Sequence, residues 1–232
     1  MKNDLAIYDH HAADWWDPCS RFSASLHALN RVRLEEVRGV VGDRYAGFVV
    51  DLGCGGGLLS EPLARAGATV VGVDISGGSV RAASAHGADC PHLHYLRGDA
   101  TRPPLPDACA DLVVCADVVE HIPDWESLVA TAARVAKPGA RFYVNTINRT
   151  WFARVVTVWL GEGLGYVPRG THDHRMFVAP KSLAAAGDRH GWSFDGATGQ
   201  RVMPLRTLFG RRLALAATTS LSATYSAWFT RR

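Results

Sequence analysis

"VVDLGCGGGLLSEPLARAGATVVGVDIS", Val49 to Ser76, places two short β-branched runs on either side of a glycine-rich turn. "GFVVDLG" (47–53) and "TVVGVD" (69–74) read as strands, because short apolar runs without alternation belong to strands covered on both faces. Between them "LSEPLARAGA" reads as a helix closed by Gly67.

The same alternation continues outward. A helix is expected over 76–87, a strand over 92–99, a strand over 109–117, a helix over 124–137 stopped by Lys137-Pro138-Gly139, and a strand over 141–148. Helices are expected upstream over 3–14 and 26–41; in the second, Leu26, Leu29, Val32, Leu34, Val37 and Val41 approximate one apolar face. Downstream come a helix over 179–190, a strand from about Trp192 and a terminal strand "TYSAWFTR". Strands and helices alternating at this spacing imply crossover units and a parallel sheet with both faces covered, a doubly wound α/β sandwich. With no repeat or linker to split it, the chain is expected to be one domain over 1–232, with an N-terminal helical cap over 1–42 and a lid-like insertion over 148–178.

Composition narrows the function classes. Hydrophobic residues at 47% and charged residues at 20% describe an ordinary globular chain, and a net charge of +3 with no basic run argues against nucleic acid as a partner. Five cysteines without a C-x-x-C pair suit a reducing cytosol better than a disulfide framework. "MKNDLAIYDHHAADWWDP" lacks the apolar core of a signal peptide, and no apolar run approaches the ~20 residues of a membrane span. A soluble, cytoplasmic protein is expected.

The glycine turn decides the ligand. A dinucleotide fingerprint starting at Gly53 requires glycine at 58, where Leu stands. No tyrosine is followed four positions later by lysine, as a short-chain dehydrogenase would require. What stands instead is Asp51, Gly53, Gly55 and Gly57 in D-x-G-x-G-x-G.

With that turn and acids after the second and third strands, the sequence resembles the class I S-adenosylmethionine-dependent methyltransferases. The resemblance implies a Rossmann-like methyltransferase sandwich, a mostly parallel seven-stranded sheet with an antiparallel last strand. It implies that the glycines let backbone approach the methionine part of the cofactor. Asp74 is then expected to accept the ribose hydroxyls, and Asp99 to lie beside the adenine with Ala100 supplying a backbone amide.

The match narrows through "YDHHAADWWDP", "LHALNRVRL", "VVCADVVEHIPD", "VAKPGARFYVNTINRT" and "VPRGTHDHRMF", which follow one another as in the ubiquinone-biosynthesis O-methyltransferases. The resemblance spans residue 7 to about 185, and "GTHDHRMF" is its most specific piece. It implies methylation of a hydroxyl on a small dihydroxylated aromatic substrate, with cofactor contacts from Arg33, Gly53, Asp74 and Ala116. Arg33 is expected to pair with the methionine carboxylate. Trp15 and Trp16 either close the entrance or pack as core residues.

A phenol resembles tyrosine, so ionising it at pH 7 costs roughly 4 kcal/mol, which a base or a cation must reduce. Asp117-Val-Val-Glu120-His121 is one candidate. The family carries Glu-x-x-Glu-His here, and some members are held to bind Mg²⁺ through it; Asp117, one methylene shorter, departs from that pattern. Glu120 has the plainer reading of starting the next helix. His121, His172 and His174 are the candidate bases, His121 ranked first, with a local hydrogen-bonding role for His172 as the alternative.

"TWFARVVTVWLGEGLGYVP" (150–168) carries an apolar stripe of Trp151, Phe152, Val155, Val156, Trp159 and Leu160, with Arg149 and Arg154 nearby. It reads as a lid over the substrate pocket or a contact with a second subunit of a homodimer. Alternatively it rests peripherally on the inner membrane face. Rival functions are a secondary-metabolite methyltransferase with a non-quinone acceptor and a non-catalytic S-adenosylmethionine-binding module. An exocyclic-amine nucleic-acid methyltransferase would show Asn/Asp-Pro-Pro-aromatic after the fourth strand, and this chain does not.

Overall fold

The computed structural model describes residues 6–163, 170–203 and 214–232. The central sheet is built from β1 (Phe48–Leu52), β2 (Thr69–Asp74), β3 (Leu93–Arg97), β4 (Ala110–Ala116), β5 (Ala136–Ile147), β6 (Trp192–Val202), β7 (Leu215–Thr218) and β8 (Thr224–Arg231). Their order is β3-β2-β1-β4-β5-β8-β6-β7. β3 to β5 pair in parallel, and β8 runs antiparallel to both β5 and β6.

The expected seven strands become eight among the described residues. β7 pairs antiparallel with β6 at the edge, where Leu215-Ala-Ala-Thr218 offers no periodic signal. β5 also begins earlier than expected: α5 (Trp125–Val135) passes straight into it at Ala136, so Lys137-Pro138-Gly139 lies in the strand rather than ending the helix. The register shift between β4 and β5 at Ala110/Leu112 accommodates that run.

Strand alternation builds a core on each face. Val50, Leu52, Val113, Cys115, Phe142 and Val144 point to one side, where Leu128, Val129 and Ala132 of α5 and Leu183 of α7 (Pro180–Arg189) cover them. Val49, Val70, Leu112, Val114 and Tyr143 point to the other, under Val37 of α2 (Ala24–Val41) and Leu59, Leu63 and Ala64 at α3 (Ser60–Arg65). Burying each Val or Leu contributes about 1.5–3 kcal/mol, and both faces need it because every crossover connection lies on one of them.

The upstream helix expected over 3–14 stops early, and its residues 3–5 lie outside the described residues. α1 (Ala6–His10) ends at His11, and a 3-10 turn, Ala12–Asp14, leads to Trp15. α4 (Gly77–His86) is capped by Ser76, whose Oγ accepts Ser79 N–H at 3.0 Å. α6 (Trp151–Arg154) continues as π-helix over Val155–Glu162. The i, i+4 stripe expected over 150–168 is not the buried face at its start: Ala153 is buried, while Trp151 and Phe152 are 63% and 53% exposed. The side chains at 158–161 and all of 164–169 lie outside the described residues, so the Trp159 and Leu160 part of that expectation does too. No helix among the described residues is long and apolar enough to cross a membrane.

β1 has β2 on one side and β4 on the other, so connections diverge at its carboxyl end. In open α/β sheets that divergence leaves a crevice, and the glycine turn stands in it.

Candidate active site

The turn after β1 is held by the residue that ends β2. Gly53 and Cys54 donate backbone N–H groups to the Val73 carbonyl at 2.8 and 3.1 Å, and Gly55 N–H donates to Asp74 Oδ2 at 2.8 Å. Asp74 Oδ1 accepts Ser76 N–H at 2.8 Å. One carboxylate therefore ties the turn to the start of α4, and each oxygen keeps a lone pair for a ligand. Burial raises the Asp74 pKa from its ordinary value, opposed by those backbone donors.

Two glycines are required where they stand. Gly53 and Gly55 have φ of +78° and +52°, and a Cβ would come within 2.3 Å of Val118 Cγ2 and 2.5 Å of the Trp15 ring. Behind the turn, Asp51 accepts Ser60 Oγ–H at 2.5 Å, and burial pushes its pKa up to about 7.

These elements enclose a cavity. Asp51, Gly53, Gly55 and Asp74 line it from the first crossover, Asp99 and Ala100 from the loop after β3. Ala116, Asp117 and His121 line it from the end of β4, and Arg33 from α2. The sequence thus named ten of the lining residues, and the fold brings them together. Four are aspartates against the single arginine. Asp99 Oδ1 is engaged locally, accepting Thr101 N–H at 2.8 Å and Thr101 Oγ–H at 2.7 Å.

The N-terminal segment closes one wall. Tyr8 and Trp15 line the cavity. Trp15 is 7% exposed and donates Nε1–H to Ser79 Oγ at 3.0 Å. Trp16 donates to the Gly56 carbonyl at 2.9 Å and stacks on His86 with ring centroids 3.6 Å apart, so it covers the turn from outside. Asp9 Oδ1 accepts Gly78 N–H at 2.6 Å and Ser76 Oγ–H at 2.8 Å, which pins α1 to the start of α4.

At the end of β4 the groups expected to bind Mg²⁺ diverge. Asp117 takes a left-handed φ of +55°, and its Oδ2 accepts Arg33 Nη2–H at 2.5 Å. Glu120 is fully buried and turned to Thr146, whose Oγ–H it accepts at 2.7 Å. Burial and the charge of Asp117 raise its carboxyl to about 8, which favours the protonated form at neutral pH. His121 Nε2 lies 3.3 Å from the Tyr8 hydroxyl. A guanidinium-paired carboxylate, a protonated carboxyl and a histidine facing elsewhere do not make a hard-oxygen set for Mg²⁺. Among the described residues no three His, Cys, Asp or Glu come together as a metal site. The expected ligand set Asp117, Glu120 and His121 is not assembled in this arrangement.

His121 is 7% exposed, and burial with the neighbouring His172 holds its pKa down to about 4. Its ring stacks on His172 with centroids 5.7 Å apart. His172 stands behind the cavity rather than on its lining. Its N–H donates to Glu162 Oε1 at 3.1 Å, and Gly170 N–H donates to Glu162 Oε2 at 2.8 Å. His174 lies apart, its Nδ1 3.9 Å from Asp173 Oδ1.

Sequence reading missed Tyr8, Asn30, Asn145 and Glu162. Only Asn30 left a usable signal, a polar residue one turn before Arg33 on the same buried helix face. The other three meet the site from positions distant in sequence.

Comparison with known proteins adds relationships to this geometry. A family model described as "Methyltransferase domain" matches residues 50–144. The chain is 38% identical over 205 residues to a protein of Cupriavidus pinatubonensis, covering 86% of this chain and 80% of that one. It is 35% identical over 201 residues to one of Bordetella avium, covering 85% and 83%. Both bear the name ubiquinone biosynthesis O-methyltransferase. Among solved structures, magnesium protoporphyrin IX methyltransferase from Synechocystis with bound SAH superposes with a TM-score of 0.67 at 19% identity, covering 98% of this chain and 95% of that one. A SAM-dependent methyltransferase from Aquifex aeolicus gives 0.66 at 14%, covering 97% and 98%. At these identities the structures establish a shared fold.

Proposed function

This chain belongs to the ubiquinone biosynthesis O-methyltransferases, and from that premise we propose that it moves a methyl group from S-adenosylmethionine to a hydroxyl of a dihydroxylated aromatic quinone precursor. The observation that carries the reading is the meeting of two features in one cavity: the turn closed on Asp74, and the Tyr8–His121 pair at the end of β4.

The residues present suit the cofactor. Gly53 and Gly55 leave no side chain on the turn, Asp74 keeps lone pairs for sugar hydroxyls, and Arg33 is a buried cation suited to a carboxylate. Asp99 and Ala100 line the part of the cavity proposed for the base, and Ala116 and Asp51 line it as well. When bound, S-adenosylmethionine supplies an electrophilic methyl on a sulfonium sulfur.

The chain's part is to position the acceptor and take its proton. His121 is the assigned base. With a pKa of about 4 it is neutral at pH 7. Ionising a phenol onto such a base beforehand would be uphill by roughly 8 kcal/mol, so the proton leaves as the new C–O bond forms. Tyr8 holds the ring through Nε2, and His172 stacks behind it as an orienting partner.

In this proposal 1–232 is one catalytic domain, with 1–42 as its cap and 148–178 as its lid. The segment 150–168 has three proposed roles: lid, contact with a second subunit of a homodimer, and peripheral contact with the inner membrane face. The exposure of Trp151 and Phe152 beside Arg154 supports a surface contact. The working site of the protein is then the cytoplasm or that membrane face.

The test is mass spectrometry of reactions with methyl-labelled S-adenosylmethionine and a panel of prenylated and unprenylated dihydroxybenzenes. Label is expected on one ring oxygen of a prenylated acceptor. Label only on unprenylated phenols would move the chain to secondary metabolism, and no label on any would leave a binding module.

A further inference from the structure

Asn30 and Arg33 stand one turn apart on α2, and both line the cavity. They are 8% and 4% exposed, so each needs its polar atoms paired inside the protein or by a ligand. Asn30 Nδ2–H donates to the Leu58 carbonyl at 2.5 Å, where the glycine turn meets α3. That bond fixes which way the amide faces, since turning it would set one carbonyl oxygen against another. Oδ1 is then a buried acceptor with no hydrogen-bond partner among the described residues.

A buried acceptor on a ligand cavity is matched by a ligand donor. Resting on the methyl-transfer reading above, we propose that Asn30 Oδ1 accepts a hydrogen bond from the α-ammonium group of the donor's amino-acid end, beside Arg33 at the carboxylate of that end. The chemistry of the neighbours selects this pairing. Arg33 carries donors only and cannot serve an ammonium group. Asp117, the carboxylate beside it, is already committed to Arg33. Residues at i and i+3 on a helix are neighbours about 5–6 Å apart at Cβ, which suits two groups borne on one carbon. α2 thus reads both charges of a zwitterion, an acceptor for one and a cation for the other.

Titration calorimetry with two ligands separates this from a structural role. S-adenosylhomocysteine carries the amino-acid end; 5′-methylthioadenosine shares the nucleoside and thioether and lacks it. Asn30→Ala is expected to weaken S-adenosylhomocysteine about tenfold or more, leaving methylthioadenosine unchanged. Equal weakening of both ligands overturns the proposal in favour of a hold on Leu58, and unchanged S-adenosylhomocysteine affinity overturns it outright. A second measurement needs no variant: the deamino analogue of S-adenosylhomocysteine should bind the unaltered protein about tenfold or more weakly, and equal affinity sinks the assignment. If the unaltered protein binds neither parent ligand, the methyl-transfer reading itself falls.

Discussion

Arg33 on α2 and Asn145 on β5 are joined through one amide oxygen, which accepts Nε–H at 2.8 Å and Nη2–H at 2.5 Å. Asn145 is itself oriented, because Nδ2 donates to Ser226 Oγ at 2.9 Å and the Tyr225 carbonyl at 3.2 Å. Ser226 and Tyr143 in turn donate to Glu36 Oε2, each at 2.6 Å, so the helix that carries Arg33 is bolted to the antiparallel half of the sheet.

Asn145→Leu should therefore loosen Arg33 without touching the acceptor side. A charged hydrogen bond is worth about 1.5–3 kcal/mol, so KM for S-adenosylmethionine should rise roughly tenfold or more while kcat changes little. Steady-state kinetics with the donor varied checks the split. A loss of melting temperature with unchanged KM would assign Asn145 to stability alone.

Asp74→Asn sets an amide N–H₂ against either Gly55 N–H or Ser76 N–H and removes the charge from the sugar site. S-adenosylhomocysteine affinity should fall about 10- to 100-fold by calorimetry. Unaltered affinity would mean that the sugar lies elsewhere.

His121→Ala should lower kcat by about 10²- to 10⁴-fold with smaller effects on either KM. The pH profile carries the sign. A neutral imidazole is the active form, and its pKa is lowered to about 4. Activity should therefore hold as pH falls through 6 and drop only as it approaches 4. A limb near 6.5 would point to an unburied histidine.

Glu120→Gln tests the buried carboxyl. Its folded pKa, about 8, lies above its ordinary 4.5, so the folded chain keeps a proton that the unfolded chain releases. The resulting stability is fully present below 4.5 and is lost as pH rises to about 8. Gln cannot ionise, so the melting temperature of the native chain should slip behind that of the variant across this window and then run parallel. A pH-independent difference would show Glu120 ionised throughout.

Asp117 is held by Arg33 and Glu120 by Thr146, so chelation should leave turnover unchanged. Assays after EDTA treatment, with and without Mg²⁺ restored, check this. Rescue by Mg²⁺ would require both carboxyls to turn away from their present partners.

How much of this could be read from the chain alone followed from range in sequence. Val49–Ser76 contains its own strand, turn, helix and strand, and the bond from Gly55 to Asp74 spans 19 residues within it. Nine of the ten cavity residues were nameable because each sits at the end of a strand or on a short motif beside one; Arg33, inside α2, came from the family resemblance alone. Tyr8 reaches His121 across 113 positions and Arg33 reaches Asn145 across 112, and nothing local announces either contact. The surroundings of the expected metal ligands were hidden for the same reason. Asp117 and Glu120 do look like a paired acidic motif, but their partners come from α2 and β5. β7 was missed on other grounds, since the four residues Leu215–Thr218 at a sheet edge have neither alternation nor length.

The lopsided charge of the cavity wall bears on how product leaves. With Asp117 neutralised by Arg33 and Asp51 about half protonated at pH 7, Asp74 and Asp99 give the pocket an anionic cast. Fresh donor arrives with a positive sulfur that this field attracts, whereas the sulfur of spent donor is a neutral thioether that it does not. Transfer therefore switches off part of the grip on the very molecule that must depart. Raising ionic strength should narrow the preference for incoming over outgoing ligand.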